Sequence, residues 1–436
     1  MSSIRQSLLH GIWCVALTAF MTAAPAQVHA QWTVTGVEVP SLAAFDQQMQ
    51  QLMTARNVPS GALAVAWQGR LVFARGYSLN PGPADIVTQP DSLFRIASCS
   101  KPITSTLVNR LIQDGALALD DTIGQYVDLT PRPGTSADPR LATVTVRNLL
   151  EMLGGFGDPA TLGYDPVFRD RIVAQGLGIA LPVSHADVIR YQSGVALAST
   201  PGTTYQYSNY GYKLLGRVIE AASGMPYERY ARRVLNPIGL WNLRLARARQ
   251  DERAPGEVAY YSGGQATSVI DDSGTLRPWE YGGSINQDTM DAYGGWVASA
   301  PELLRWMTNL DAPNAPDAIL DQTSLDRMFA LPQNFPLPYT PGSYYYASGW
   351  SVRDYGAQGR TTFHAGSLPS TASYIVRYRN GFSIVILLNR RNENNPDDTT
   401  NAMDTAIWAA YGQVSSWPAH DLFPQVLPTL MRDGFD

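Results

Sequence analysis

The sequence predicts an α+β fold: an antiparallel sheet built from both ends of the chain and flanked by helices, with a mostly helical lobe inserted between. Three observations carry this. Strand patterns cluster near the start and again in the last third, as short apolar runs bounded by turn residues. The middle, from about residue 100 to 300, reads as helical patches broken by long loops. At 436 residues, 45% hydrophobic and 16% charged, the chain is long enough for one large core or two smaller ones. The expected division is 31–95 with 296–436 for the sheet part and 96–295 for the helical part.

Taken in order, the first element is not structural. Arg5 precedes an apolar run from Leu8 to Phe20, and Val28-His29-Ala30 has the small residues of a cleavage site. Residues 1–30 read as a secretory signal peptide removed after Ala30. The run is too short for a membrane anchor. The expectation is a secreted or periplasmic protein with no stable membrane span. Ser41 is expected to cap a helix whose apolar positions Leu42, Phe45, Met49, Leu52 and Met53 share one face. Gly61 to Trp67 and Arg70 to Tyr77, joined by the Gln68-Gly69 turn, form a hairpin. A Pro-rich loop follows from Asn80 to Asp91.

In the middle, Val144 to Leu153, Tyr210 to Ser223 and Tyr227 to Leu235 read as helices. The segments 154–200 and 250–290 read as irregular, and loops that long in a compact domain tend to be functional. The last third carries strands at Ser343 to Val352, Arg360 to His364, Ala372 to Arg379 and Phe382 to Leu388. A helix from about Asp398 to Tyr411 follows, then a tail with Trp417 and Pro418.

The net charge of −5 and the absence of a basic stripe exclude a nucleic-acid binder as the leading class. After cleavage the single remaining cysteine, Cys99, allows no intrachain disulfide and no Cys/His zinc cluster. Neither a metal nor another cofactor is expected. There is no G-x-S-x-G elbow and no H-E-x-x-H.

The chemistry concentrates in FRIASCSKPITS, Phe94 to Ser105. Ser98 and Lys101 stand three apart on the opening turn of a helix, so amine and hydroxyl share a face. Pro102 fits a first turn, where its missing N–H is not needed. A serine hydroxyl is a poor nucleophile until a neighbour accepts its proton. Lysine can do so once burial lowers its pKa; arginine cannot. Among 32 Lys+Arg the chain has two lysines, Lys101 and Lys213, and one is here. Cys99, adjacent to Ser98, points about 100° away on a helix and reads as packing.

Two further groups complete a candidate site. PGTTYQYSNYGY, Pro201 to Tyr212, places Tyr207 and Asn209 on a loop before a helix. A buried phenol beside an ammonium can lose its proton near neutral pH and exchange it with serine and leaving group. Most of the 22 tyrosines only pack, so Tyr207 rests on its neighbours. FHAGS, Phe363 to Ser367, ends a strand: Gly366 lets backbone approach closely, and the N–H groups of Ser367 and Ser98 can face an oxyanion. His364 can contact a substrate carboxylate or the reacting groups. The aromatics Trp279, Tyr281, Tyr293, Trp296 and Tyr344 to Tyr346 suggest an apolar or aromatic acyl group.

S-x-x-K, then Y-S-N, then H-A-G, in this order and at these separations, resembles the serine hydrolases related to class C β-lactamases. These include D-alanyl-D-alanine carboxypeptidases, D-aminopeptidases and esterases of the same β-lactamase/transpeptidase-like fold. The likeness runs from about Ser41 to Tyr411, through PGTTYQYSNYGYKLLGRVIEAASGMPYERY, VLNPIGL, YGGWVASAPELLRWM and the strand ending at Asn389. The resemblance implies Ser98 as acylated nucleophile, Lys101 beside it, and Tyr207 as base and acid. It implies Asn209 near the substrate amide or ester, and His364 with Gly366 as the third motif. Whether Lys101 or Tyr207 takes the serine proton stays open. The third motif begins with His364 where true class C β-lactamases carry lysine, which points towards carboxypeptidases and esterases. LLEMLGGF, Leu149 to Phe156, also departs from the family's usual polar text.

The expected function is an exported serine hydrolase acting on a small ester, peptide or lactam. The alternatives are a β-lactamase or D-alanyl-D-alanine carboxypeptidase, and a non-catalytic acylatable sensor.

Overall fold

In the computed structural model, residues 32–79, 86–157, 165–333, 335, 340 and 342–427 are described. The proposed signal segment lies outside them, as does part of the Pro-rich loop. Eight strands form one antiparallel sheet: β1 (Trp32–Thr35), β2 (Ser60–Trp67), β3 (Arg70–Leu79), β4 (Tyr345–Tyr346), β5 (Ser351–Asp354), β6 (Arg360–Leu368), β7 (Thr371–Arg377) and β8 (Phe382–Leu388). Their order is β1-β3-β2-β8-β7-β6-β5-β4, so the chain's two ends meet where β8 pairs with β2. The α+β architecture with a sheet from both ends is as expected.

Both faces of the central strands are buried, which explains their near-continuous apolar runs. On β2, Leu63 and Val65 face helix α1 (Ala43–Ala55) and the last long helix, while Ala62, Ala64 and Ala66 face the other side. Three alanines at alternate positions leave room there for helix α4 (Ala300–Asn309), which brings Leu303, Leu304 and Met307 into the core.

Several boundaries differ from expectation. Ser41 does not cap α1: Pro40–Leu42 form a 3₁₀ turn and Leu42 enters the helix without a side-chain cap. The expected face of α1 is nevertheless buried. Val144 to Leu153 shortens to Val146–Leu150, begun by a reciprocal Thr145–Asn148 cap and ended where Met152 turns to φ +60°. Among its described residues the 154–200 segment holds two α-helices, Asp170–Leu177 and His185–Gln192. Both are too short and polar for a readable stripe, although Ser184 and Asp187 cap the second reciprocally. The expected Ser343 to Val352 strand is two strands around a turn at Gly349, φ +75°. A Cβ on Gly349 would lie 2.9 Å from the Lys101 carbonyl oxygen, so this turn leans directly on the helix that carries Lys101. β6 runs four residues past His364.

The lead-in to that helix is anchored from the far side. Phe94–Arg95 pairs with Val297-Ala298. Arg95, fully buried, meets Glu257 at 3.5 Å, donates to the carbonyls of Glu280 and Arg247, and lies 4.5 Å over the Tyr260 ring. Arg95→Ala would leave the Glu257 carboxylate buried without its cation. We expect denaturant unfolding to show a loss of about 3–5 kcal/mol.

Candidate active site

The turn that carries Ser98 starts from a strained residue. Ala97 sits at φ +46°, a left-handed conformation costly for a residue with a Cβ, and Ser98 follows within the 3₁₀ turn Ala97–Cys99. Helix α2 (Ser100–Gln113) continues from it. The i, i+3 spacing puts Lys101 Nζ 3.0 Å from Ser98 Oγ. The other two bonds of this fully buried amine go to Asn209 Oδ1 (2.7 Å) and the Tyr293 carbonyl (2.8 Å).

Those two oxygens can only accept. When Lys101 is neutral, both of its N–H bonds are therefore committed to them, and the lone pair is left for the Ser98 hydroxyl. Burial favours that neutral form, pulling the pKa down to about 7 against the opposing pull of Asp165.

Tyr207 closes the other side of Ser98, hydrogen-bonding to its side chain. Lys101 Nζ lies 4.8 Å from the Tyr207 ring centroid, so all three groups of the first two motifs meet at one point. The phenolate expected from the sequence does not form at rest. Burial pushes the Tyr207 hydroxyl well above its usual value, further than the hydrogen bond with Ser98 lowers it. The phenol is a proton donor in this state.

Asn209 begins helix α3 (Asn209–Ser223), capped by Ser208. Its Nδ2 donates to Asp165 Oδ2 at 2.7 Å, so one amide connects the amine to a carboxyl group. Asp165 was not legible in the sequence beyond lying in the 154–200 loop; nothing local marks it among many acidic residues. Met152, in the segment that departs from family text, braces the same loop: its Sδ accepts from Ser208 N (3.2 Å) and its carbonyl from Gln206 N (2.9 Å).

The third motif arrives on β6. Gly366 stands opposite Ser373, whose Oγ donates to the Ile96 carbonyl at 2.7 Å. A Cβ on Gly366 would meet Ile96 O and Ser373 Oγ at 2.2 Å each and Ser98 N at 3.1 Å. The strand thus presses on the Ser98 turn at a contact that only glycine permits.

Ser367 Oγ accepts from Arg391 at 2.9 Å. His364 is buried, with Nδ1 2.7 Å from the Ala365 carbonyl. That carbonyl can only accept, so Nδ1 carries the proton and Nε2 accepts from the Tyr346 hydroxyl at 3.2 Å. Burial drives the imidazole pKa down to about 3. His364 is therefore neutral and offers a substrate carboxylate no free donor, contrary to one of its expected uses. Cys99 packs as expected, its thiol pushed up to about 12 by burial.

Two cavities meet at Ser367 and Tyr207. One, about 890 Å³, is lined by Asp165, Asn209, Arg169 and Arg391. The other, about 790 Å³, reaches Ser98 and runs out along an aromatic floor. Of the aromatics singled out in the sequence, Tyr344 and Tyr346 line it. Tyr281, Tyr293 and Trp296 are core instead, and the Trp279 ring lies against Gly264.

This constellation on this fold marks a class. The family model for beta-lactamase matches residues 45–407, and the chain belongs to that family. It is 25% identical to esterase EstB of Burkholderia gladioli over 405 residues, covering 86% of this chain and 98% of the esterase. It is 22% identical to protein flp of Staphylococcus aureus (strain COL), covering 78% of this chain but 61% of flp. Among solved structures, D-amino acid amidase from Ochrobactrum anthropi SV3 in complex with L-phenylalanine amide superposes with a TM-score of 0.63. The two are 22% identical, covering 86% of this chain and all of that one. The family match and the esterase relative make the chain a serine-hydrolase-family protein, and the superposition shows the β-lactamase fold.

Proposed function

We propose that the protein is an exported hydrolase that cleaves a small ester or amide through an acyl-enzyme on Ser98. The observation that carries this is the Lys101 amine, whose two N–H bonds are occupied by carbonyl oxygens and whose lone pair faces Ser98 Oγ. Ser98 Oγ attacks the substrate carbonyl carbon as its proton passes to Lys101. The N–H groups of Ser98 and Ser367 face the developing oxyanion. The bond to the leaving alkoxide or amine then breaks, Tyr207 gives that group its hydroxyl proton, and the Lys101 ammonium re-protonates Tyr207. Water releases the acid by the same steps in reverse order.

Ester or simple amide cleavage is favoured over β-lactam turnover because the third motif presents neutral His364 in place of a cation. The aromatic cavity and the likeness to an amidase complexed with an aromatic amide favour amide substrates with an aromatic side chain as a second reading. Turnover of a p-nitrophenyl ester, D-phenylalanine amide, a D-alanyl dipeptide and a cephalosporin separates these. A fluorophosphonate adduct on Ser98 by mass spectrometry is expected; an unlabelled Ser98 would leave only a non-catalytic binder. Export predicts a mature protein beginning at Gln31 in the periplasmic or culture fraction, read by intact mass.

The protonation state also gives a pH signature. Lys101 must be neutral to act, so kcat/KM rises as pH passes upward through about 7. The Asp165 carboxylate supports the charged amine and holds that limb up. Asp165→Asn keeps an oxygen for the Asn209 amide but removes the charge, and is expected to move the limb to lower pH. A limb that stays in place shows that Asp165 is protonated or uncoupled throughout.

A further inference from the structure

The aromatic cavity has a charge sense that the reaction at Ser98 does not need. It is a groove between the outer face of β5–β7 and helix α5 (Pro396–Tyr411), and it opens onto Ser98 and Tyr207. Its volume, about 790 Å³, is that of a small-molecule site. Across its floor Phe363 stands abreast of Val376, with Tyr374 6.3 Å from the Phe363 ring and Tyr344 6.1 Å from it. From α5 come Asp397, Asp404 and Trp408.

Asp404 is held in position. Tyr374 Oη and Trp408 Nε1 both donate to its Oδ1, at 3.1 and 3.0 Å, and among the described residues no donor reaches Oδ2. Neither Asp397 nor Asp404 pairs with a lysine, arginine or histidine among the described residues, whereas their neighbour Asp398 pairs with Arg56. Among the described residues that line the groove the one cation is Arg353, with its guanidinium 5.7 Å over the Phe363 ring, while Arg379 packs 4.5 Å from the centroid of the Tyr355 ring at the rim. His364, at the inner end, is neutral and adds no positive charge. Thr361 lines the wall with a buried Oγ1 that has no hydrogen-bond partner among the described residues.

Unpaired carboxylates among aromatic faces attract an organic cation and repel an anion. Arg353 over Phe363 shows that the face already accommodates a positive charge. We infer that this groove is a subsite for an organic cation, a protonated or quaternary amine carried on an arm of the substrate whose carbonyl lies at Ser98. The inference rests on the hydrolase reading above. A metal ion fits the groove poorly, since among the described residues no three His, Cys, Asp or Glu side chains gather to hold one.

The test compares 4-(trimethylammoniomethyl)phenyl acetate with its uncharged isostere 4-neopentylphenyl acetate; the methylene insulates the ester from the charge. The cationic ester is expected to exceed the isostere by about tenfold in kcat/KM, chiefly through KM. The ratio should fall towards one in Asp397→Asn/Asp404→Asn and rise in Arg353→Gln. A ratio of one or less in the native enzyme overturns the inference.

Calorimetric titration with benzyltrimethylammonium reads the site without turnover. Saturable binding that weakens about tenfold in the double variant supports it, and no saturation overturns it. Fluorophosphonate labelling of Ser98 reports on the hydrolase reading separately. Labelling without cation preference sinks only the subsite; cation binding without labelling sinks only the hydrolase.

Discussion

Lys101→Arg is expected to lower kcat/KM for an ester by on the order of a thousandfold, close to the loss in Ser98→Ala. The substitution keeps a positive charge and adds donors, so a purely electrostatic role for Lys101 predicts a mild effect. The geometry predicts a severe one. A guanidinium has no lone pair to offer and does not lose its proton in a protein. The Asn209 and Tyr293 oxygens could still be satisfied, but the Ser98 proton would have no acceptor. Thermal unfolding of the variant separates this loss from misfolding of a buried site. Activity within about threefold of native would show that Lys101 is not the proton acceptor.

Tyr207→Phe is expected to cost on the order of a hundredfold or more, and the size should depend on the leaving group. A p-nitrophenolate leaves without a proton, whereas an alkoxide or amine does not leave without one. The loss should therefore be small to moderate on a p-nitrophenyl ester and largest on an alkyl ester or amide. Equal losses on both would place Tyr207 in the attack step, as the base that the sequence left possible. The phenol's raised pKa argues against that, because burial stabilises the protonated form.

Much of the site was readable because it is local. Three residues on one helical turn place Ser98 and Lys101, and glycine in FHAGS announces a close backbone approach, found where Gly366 abuts Ser98 N. The strands of the sheet were readable for a related reason: two buried faces leave an apolar run that no short helix imitates. What failed were elements whose signal is short or distributed. His185–Gln192 carries two apolar core residues and is held by caps and packing, and Ser41 was outcompeted by the turn that Pro40 starts.

The sequence by itself determined the antiparallel sheet from both chain ends and which residues, Ser98, Lys101 and Tyr207, are candidates for the reaction. Only the folded chain decided their protonation. Whether the amine or the phenol is the stronger base depends on how far each is removed from water and which oxygens surround it, and those oxygens come from Asn209 and Tyr293, far away in sequence. The same holds for Asp165 and for the carboxylate-lined groove, which exist because separate segments converge on one end of the sheet.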